Sequence, residues 1–247
     1  MNLVIDIGNS FTKTAIFAEN KLKEKKIHKN SNFSGIINQI KKIKQKNPET
    51  DKVILSSVKD ENKKLQDFLT GNFKKNIIFD ETVDIPVKNY YKTPETLGKD
   101  RLAGVIAASN IFPDCNVLIF DAGTALTVDF INNKKEYFGG SIAPGLEMRY
   151  KALNVFTDKL PEISINKEFN NIYGADTKES VISGVQNGIL YEIEGHINRF
   201  SEKYNDLKVT FTGGDTFFFE RKIKKQIFAE PNLVLIGLNI ILNYNAK

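Results

Sequence analysis

The chain has 247 residues with a single cysteine and two histidines, and these shortages remove several kinds of chemistry at once. Cys115 cannot form an intramolecular disulfide, which agrees with a reducing compartment, and its plain reading is a buried core thiol. His28 and His196 are too few for a metal cluster of histidine and cysteine, and neither supports a serine hydrolase triad. Long apolar runs are missing too. Leu233 to Leu242 is broken by Gly237 and Asn239 and reaches about half the length needed to cross a bilayer, so a membrane span is excluded. The opening Met1-Asn2-Leu3-Val4-Ile5-Asp6 places an acid where a signal peptide needs apolar residues, and the expectation is a cytoplasmic protein. The Gly-x-x-x-x-Gly-Lys-Ser/Thr loop and the Gly-x-Gly-x-x-Gly fingerprint are both absent, which removes two common nucleotide folds. Any catalysis must lean on carboxylates.

What is present describes an ordinary globular chain. Hydrophobic residues make up 41% and charged residues 26%, with 18 Phe and 8 Tyr, enough to bury the core of one large domain or two modest ones and to argue against extensive disorder. The formal charge of +5 raises nucleic acid or an anionic small molecule as partner. The distribution argues against nucleic acid. Lysines cluster at Lys21 to Lys29 and Lys41 to Lys46 without interleaved arginine or aromatic residues, and no zinc-finger, helix-turn-helix or RNA-binding signature accompanies them. They read as solvated loops and helix faces.

An internal repeat organises the rest. Leu3-Val4-Ile5-Asp6-Ile7-Gly8-Asn9 returns as Leu118-Ile119-Phe120-Asp121-Ala122-Gly123-Thr124, an offset of 115 residues by their numbering, and Thr12 then matches Thr127. Each copy reads strand, tight turn, strand, with turn residues Glu19-Asn20 and Asn132-Asn133 and third strands near Lys23 to His28 and Glu136 to Ile142. Helices are predicted near Gly35 to Lys46, Glu61 to Leu69, Leu97 to Ile111, Pro144 to Leu153, Lys178 to Lys203 and Pro231 to Asn243. Short strands are predicted near Val53 to Ser56, Ile77 to Phe79 and Val209 to Thr212. The fold class is therefore α/β, two related domains at 1–115 and 116–247, each a mixed sheet with flanking helices. Along the long helix, Val181, Ile182, Val185, Ile189, Ile193, Ile197 and Phe200 make one apolar face. Gly184 and Gly188 form a notch on it, for intrachain packing or for a subunit interface.

A strand ending in Asp, then a small residue, Gly and a hydroxyl or amide residue has a physical use: glycine lets the backbone approach phosphate oxygens and the carboxylate holds a cation or its water. One such turn is also an ordinary hairpin signal. Two in duplicate context point to a pair of turns gripping a polyphosphate, the organisation of the actin-like (ribonuclease H-like) superfamily of sugar kinases and chaperone ATPases. The Gly8 and Gly123 amides are then expected to cradle phosphates. Gly213-Gly214-Asp215 reads either as backbone against an adenosine or as a plain turn.

Gly98-Lys99-Asp100-Arg101 opens an alanine-rich helix just before the second repeat. Together with Asp6-Ile7-Gly8-Asn9-Ser10, Asp121-Ala122-Gly123-Thr124-Ala125 and Gly139-Gly140-Ser141-Ile142-Ala143-Pro144-Gly145, it makes the chain resemble type III pantothenate kinase along nearly its whole length. The resemblance implies ATP-dependent phosphorylation of pantothenate, the first step of coenzyme A synthesis, by a homodimer. It assigns Asp6, Ile7, Gly8, Asn9, Ser10, Phe11, Thr12 and Lys13, with Thr124, to ATP, Asp6 working through Mg²⁺, and Asp121 to a monovalent cation, K⁺ or NH₄⁺. It assigns Tyr91, Gly98, Lys99, Asp100, Arg101 and Thr177 to pantothenate, with Asp100 as proton acceptor. Thr177 also reads as the first residue of a helix capped by Asp176 and Glu179, and Tyr91 as core. Ser10, where the family commonly has threonine, and Leu126 are small departures. Two other readings stay open: a non-catalytic actin-like ATP-binding scaffold, which would not need the Gly98 to Arg101 segment, and a transcription accessory factor.

Overall fold

The computed structural model describes residues 1–30, 33–58 and 63–246. The chain forms two compact units, Met1–Ile111 with Asn232–Lys247, and Phe112–Pro231. In the first, β1 (Asn2–Ile7), β2 (Phe11–Ala18) and β3 (Lys21–Lys29) run antiparallel, and β4 (Lys52–Ser57) and β5 (Lys75–Ile78) extend the other side of β1 in parallel, giving the order β3-β2-β1-β4-β5. Alternation along β1 decides what covers each face. Leu3, Ile5 and Ile7 pack with α1 (Phe33–Lys46) and α2 (Lys63–Asn72) through Ile36, Ile40, Ile43, Leu65 and Leu69. Glu61, where the second helix was expected to begin, lies outside the described residues. A two-residue strand β6 (Lys88–Asn89) and a 3-10 turn at Pro94–Thr96 lead to α3 (Lys99–Ile111).

In the second unit, β7 (Val117–Ala122), β8 (Ala125–Ile131) and β9 (Glu136–Pro144) are the antiparallel trio, while β10 (Lys208–Thr212) and β11 (Phe228–Ala229) run parallel to β7. The order β9-β8-β7-β10-β11 repeats that of the first unit element for element. Leu118, Phe120 and Ala122 pack against α4 (Leu146–Val155), the 27-residue α5 (Thr177–Lys203) and α6 (Thr216–Glu220). Pro144 ends β9 rather than opening α4. The short β11 and α6 carry too few residues to show a period in the sequence.

The boundary falls at Ile111 instead of 115, and the last helix, α7 (Leu233–Asn245), belongs to the first unit rather than to the second half of the chain. Its polar residues explain why. Asn2 Nδ2 donates to Asn239 Oδ1 and Asn243 Oδ1, each at 2.8 Å, and Asn239 Nδ2 reaches the Glu19 carbonyl at 2.9 Å. These asparagines on a helix with eight buried residues find partners only around β1 and its hairpin. Gly237 lets α7 lie directly on α3, since a Cβ there would sit 1.9 Å from the Ala103 carbonyl oxygen. A Cβ added to Gly184 or Gly188 would meet nothing within 4 Å among the described residues, so the notch is open there. Cys115 is only partly buried, because it lies in the turn before β7 and not on a core face.

The lysines of the first cluster sit on β3, the edge of its sheet, and Lys21, Lys23, Lys25, Lys26 and Lys29 are all exposed. Charged edge residues block further strand addition, which accounts for this cluster without a nucleic-acid partner.

Candidate active site

The first turn closes with the Gly8 amide donating to the Phe11 carbonyl at 3.0 Å, and the second with the Gly123 amide donating to the Ala125 carbonyl at 3.0 Å. Both glycine amides are therefore used inside their turns, contrary to the expectation that they cradle phosphate. Among the described residues no partner takes the amides of Asn9 and Ser10, which follow Gly8 in an exposed bend, and these are the donors available to an anion there. Ile7 is buried in the sheet, Phe11 is 44% exposed, and Thr12 is buried with its hydroxyl donating to Asn30 Oδ1 at 2.7 Å. Thr12 thus braces the turn.

Asp6, next to last in β1, is 5% exposed. Burial raises its pKa from 3.8 to about 6; Lys13 lowers it, nearby Asp100 raises it, and Ser56 lowers it. Lys13 stands opposite Asp6 in the β1–β2 register and Ser56 opposite it in the β1–β4 register. The Ser56 hydroxyl is buried without completing a hydrogen bond of ordinary geometry, yet lies close enough to favour the ionised carboxylate. Ser56 and Asn30 carried no motif signal in the sequence. Only the register of β4 and the end of β3 bring them to the turn.

Asp100, in the first turn of α3, is brought near Asp6, and its Oδ1 accepts the Arg101 amide at 2.8 Å. A Cβ on residue 98 would lie 2.7 Å from that same Oδ1 and would displace the Asp100 carboxylate from this position. Arg101 is 8% exposed and its guanidinium lies 5.7 Å from the centre of the Tyr91 ring, a cation–π contact that orders both side chains. The Lys99 ammonium pairs with Glu81 at 3.2 Å. Asp6, Lys13, Asp100, Arg101 and Tyr91 all belong to the first unit.

In the second unit Asp121 ends the matching strand, and Thr124 is exposed in the turn after it. The turn is one residue shorter than the first, so Thr127, and not a lysine, stands opposite Asp121; the structural counterpart of Thr127 is Lys13 rather than Thr12. Leu126 is fully buried in β8, outside the turn. Gly213 has φ +94°, and a Cβ there would lie 2.3 Å from the Ala122 carbonyl oxygen and 2.5 Å from Asp121 Oδ1. The Asp215 amide donates to that carbonyl at 2.9 Å, so Gly213-Gly214-Asp215 is a tight turn locked onto the end of β7. The Asp215 carboxyl is held above its ordinary range by burial and then by Glu147, with Lys167 opposing. Thr177 is the exposed first residue of α5, whose N-cap Asp176 accepts the Glu179 amide at 2.8 Å while Glu179 Oε2 accepts the Ala175 amide at 3.0 Å. The helix-start reading of Thr177 describes its place.

The sequence profile of the type III pantothenate kinase family matches residues 2–199. A type III pantothenate kinase of Christiangramia forsetii is 43% identical over 99% of each chain. This chain belongs to that family. Among solved structures, a Campylobacter jejuni protein described as a conserved candidate Baf family transcriptional activator superposes with a TM-score of 0.61 at 24% identity, covering 99% of this chain and 98% of its own. A glucokinase from an Antarctic psychrotroph gives 0.51 at 13% identity, covering 99% of both. At such identities the likeness shows the fold alone, and that fold is the actin-like one, made twice. Of the motif residues of the first unit, Lys13 and Asp100 act electrostatically on Asp6, whereas Lys99 is engaged by Glu81 and Thr12 by Asn30.

Asp6 also sets a pH dependence. Its folded pKa lies above the unfolded value, so the fold is favoured below about pH 4, and stability from this group is lost as pH rises through about 6, by about 3 kcal/mol for a shift of this size. Asp6→Asn keeps the shape without the charge. The unliganded variant should melt several degrees above the unmodified protein at pH 8, with little difference at pH 4, in thermal unfolding followed by circular dichroism. An equal or lower melting temperature at pH 8 would contradict a charge held against its solvation.

Proposed function

We propose that the protein transfers the γ-phosphoryl group of ATP to the primary hydroxyl of pantothenate, giving 4'-phosphopantothenate for coenzyme A synthesis in the cytoplasm. The observation that carries this reading is the approach of two carboxylates with separate jobs, Asp6 beside the Asn9–Ser10 bend and Asp100 at the start of α3. Phosphoryl transfer asks mainly for positioning and for positive charge around the phosphates. The Asn9 and Ser10 amides and the Lys13 ammonium supply donors on the ATP side, and the family motif assigns Thr124 to ATP as well. Asp6 would hold Mg²⁺. Its burial, opposed by Lys13 and Ser56 and reinforced by Asp100, suits a group that a cation would keep charged. When bound, the ion offsets phosphate charge.

Asp100 takes the proton of the attacking hydroxyl. Its Oδ1 is anchored by the Arg101 amide, which leaves Oδ2 for the substrate, and Gly98 preserves the space this rotamer needs. Arg101, with its guanidinium 5.7 Å from the Tyr91 ring centre, is assigned to pantothenate by the family motif. Asp100→Asn keeps size but cannot accept the proton, so kcat should fall by roughly 10²- to 10⁴-fold while calorimetric ATP affinity is retained. The check is an ADP-release assay with and without pantothenate. Near-normal turnover by Asp100→Asn would remove the proton-acceptor role, and ADP release independent of pantothenate would favour an ATP-binding scaffold.

Asp121 is assigned a monovalent cation of K⁺ or NH₄⁺ size, supported by the hydroxyl of Thr127 standing where the first unit has Lys13. Turnover should be markedly faster in potassium than in sodium at matched ionic strength, and equal rates would rule the site out. The open Gly184–Gly188 notch on α5 supports a homodimer. Sedimentation should then give twice the chain mass at micromolar concentration; a fully active monomer would overturn it.

A further inference from the structure

The two turns are clipped by the residue that directly follows the third strand of each sheet. That residue is Asn30 after β3 and Gly145 after β9. The Asn30 amide donates to the Ser10 carbonyl at 3.2 Å, and the Gly145 amide to the Thr124 carbonyl at 3.2 Å. In the second unit the clip is backbone alone. A Cβ on Gly145 would lie 2.3 Å from the Gly123 carbonyl oxygen and 2.4 Å from that of Thr124, so no side chain fits. In the first unit a longer turn leaves room, and the Asn30 side chain fills it with two more bonds: Nδ2 donates to the Gly8 carbonyl at 2.6 Å, and Oδ1 accepts the Thr12 hydroxyl at 2.7 Å.

Two bonds from one residue thus tie down the Gly8 and Ser10 carbonyls on either side of the Asn9 and Ser10 amides, and a third, from the Thr12 hydroxyl, holds the Asn30 side chain itself. The consequence is electrostatic. A carbonyl oxygen turned toward a phosphate repels it, and a flexible bend loses donor geometry through that rotation of the peptide plane. With the Gly8 carbonyl held by Asn30, and Asn30 held in turn by buried Thr12, the peptide plane that carries the Asn9 amide is set before any ligand arrives, and the Ser10 amide lies between that plane and the Ser10–Phe11 plane, whose carbonyl Asn30 also holds.

We propose that Asn30 is a positioning residue for nucleotide binding, acting through the Gly8–Ser10 bend and touching no substrate itself. This rests on the reading that the bend takes ATP phosphates. Asn30→Ala removes both side-chain bonds, and the near-isosteric Asn30→Asp keeps an acceptor for Thr12 but loses the donor to the Gly8 carbonyl. Each should raise the Kd of ATP by about tenfold in calorimetry, the worth of one well-made hydrogen bond. KM for ATP should rise with it, while KM for pantothenate stays within about twofold. Asn30→Asp guards against simple misfolding of the alanine variant. An unchanged ATP Kd in either folded variant would overturn the proposal, and so would equal weakening of both substrates, which marks a general structural role. The unmodified protein separates the two ideas: if it binds ATP but leaves pantothenate untouched, the substrate reading fails and the Asn30 comparison still decides; if it binds no ATP, both fail.

Discussion

A carboxylate withdrawn from water at the end of a central strand is the constraint from which the rest of the first unit follows. Asp6 is nearly fully buried, and burial alone pushes its proton affinity upward. Its neighbours divide into those that oppose this, Lys13 across one strand pair and Ser56 across the other, and one that adds to it, Asp100. A fold selected only for stability would replace such a group by something neutral. Its retention beside a second acid is the mark of a site arranged for charge that arrives with a ligand.

Glycines make the carboxylates possible. Gly98 gives Asp100 its room, and Gly213, at positive φ, does the same for Asp121 while letting its turn close on Ala122. A Cβ would come within 2.7 Å of Asp100 Oδ1 in the first case and within 2.5 Å of Asp121 Oδ1 in the second. The glycine-rich motifs therefore act by excluding Cβ atoms near acids and turns at least as much as by offering amides, and the Gly8 and Gly123 amides are used up in closing their hairpins.

The duplication is unequal in a way that matters chemically. One residue fewer in the second turn shifts the register by one place, so that a lysine faces one strand-end acid and a threonine the other. Two turns alike in sequence thereby acquire different electrostatics, the first with a built-in cation and the second with a hydroxyl.

Much of this was legible in the residues themselves. Alternating apolar strands, the Asp-x-Gly repeat and the apolar face of α5 are local signals, because strand and helix periods follow from neighbouring positions along one chain. They determined the duplicated hairpins, the long helix, the two acids at the strand ends and, through four ordered motifs, the family. What the tertiary structure alone decided depends on partners far apart in sequence. The asparagines of α7 meet β1, Ser56 comes beside Asp6 through a parallel strand pairing, and Asn30 reaches Gly8 from the end of a third strand. No periodicity records such pairings, since register and close approach are settled only when strands and helices pack, and it is there that the turn acquires its clamp and the acid its shifted proton affinity.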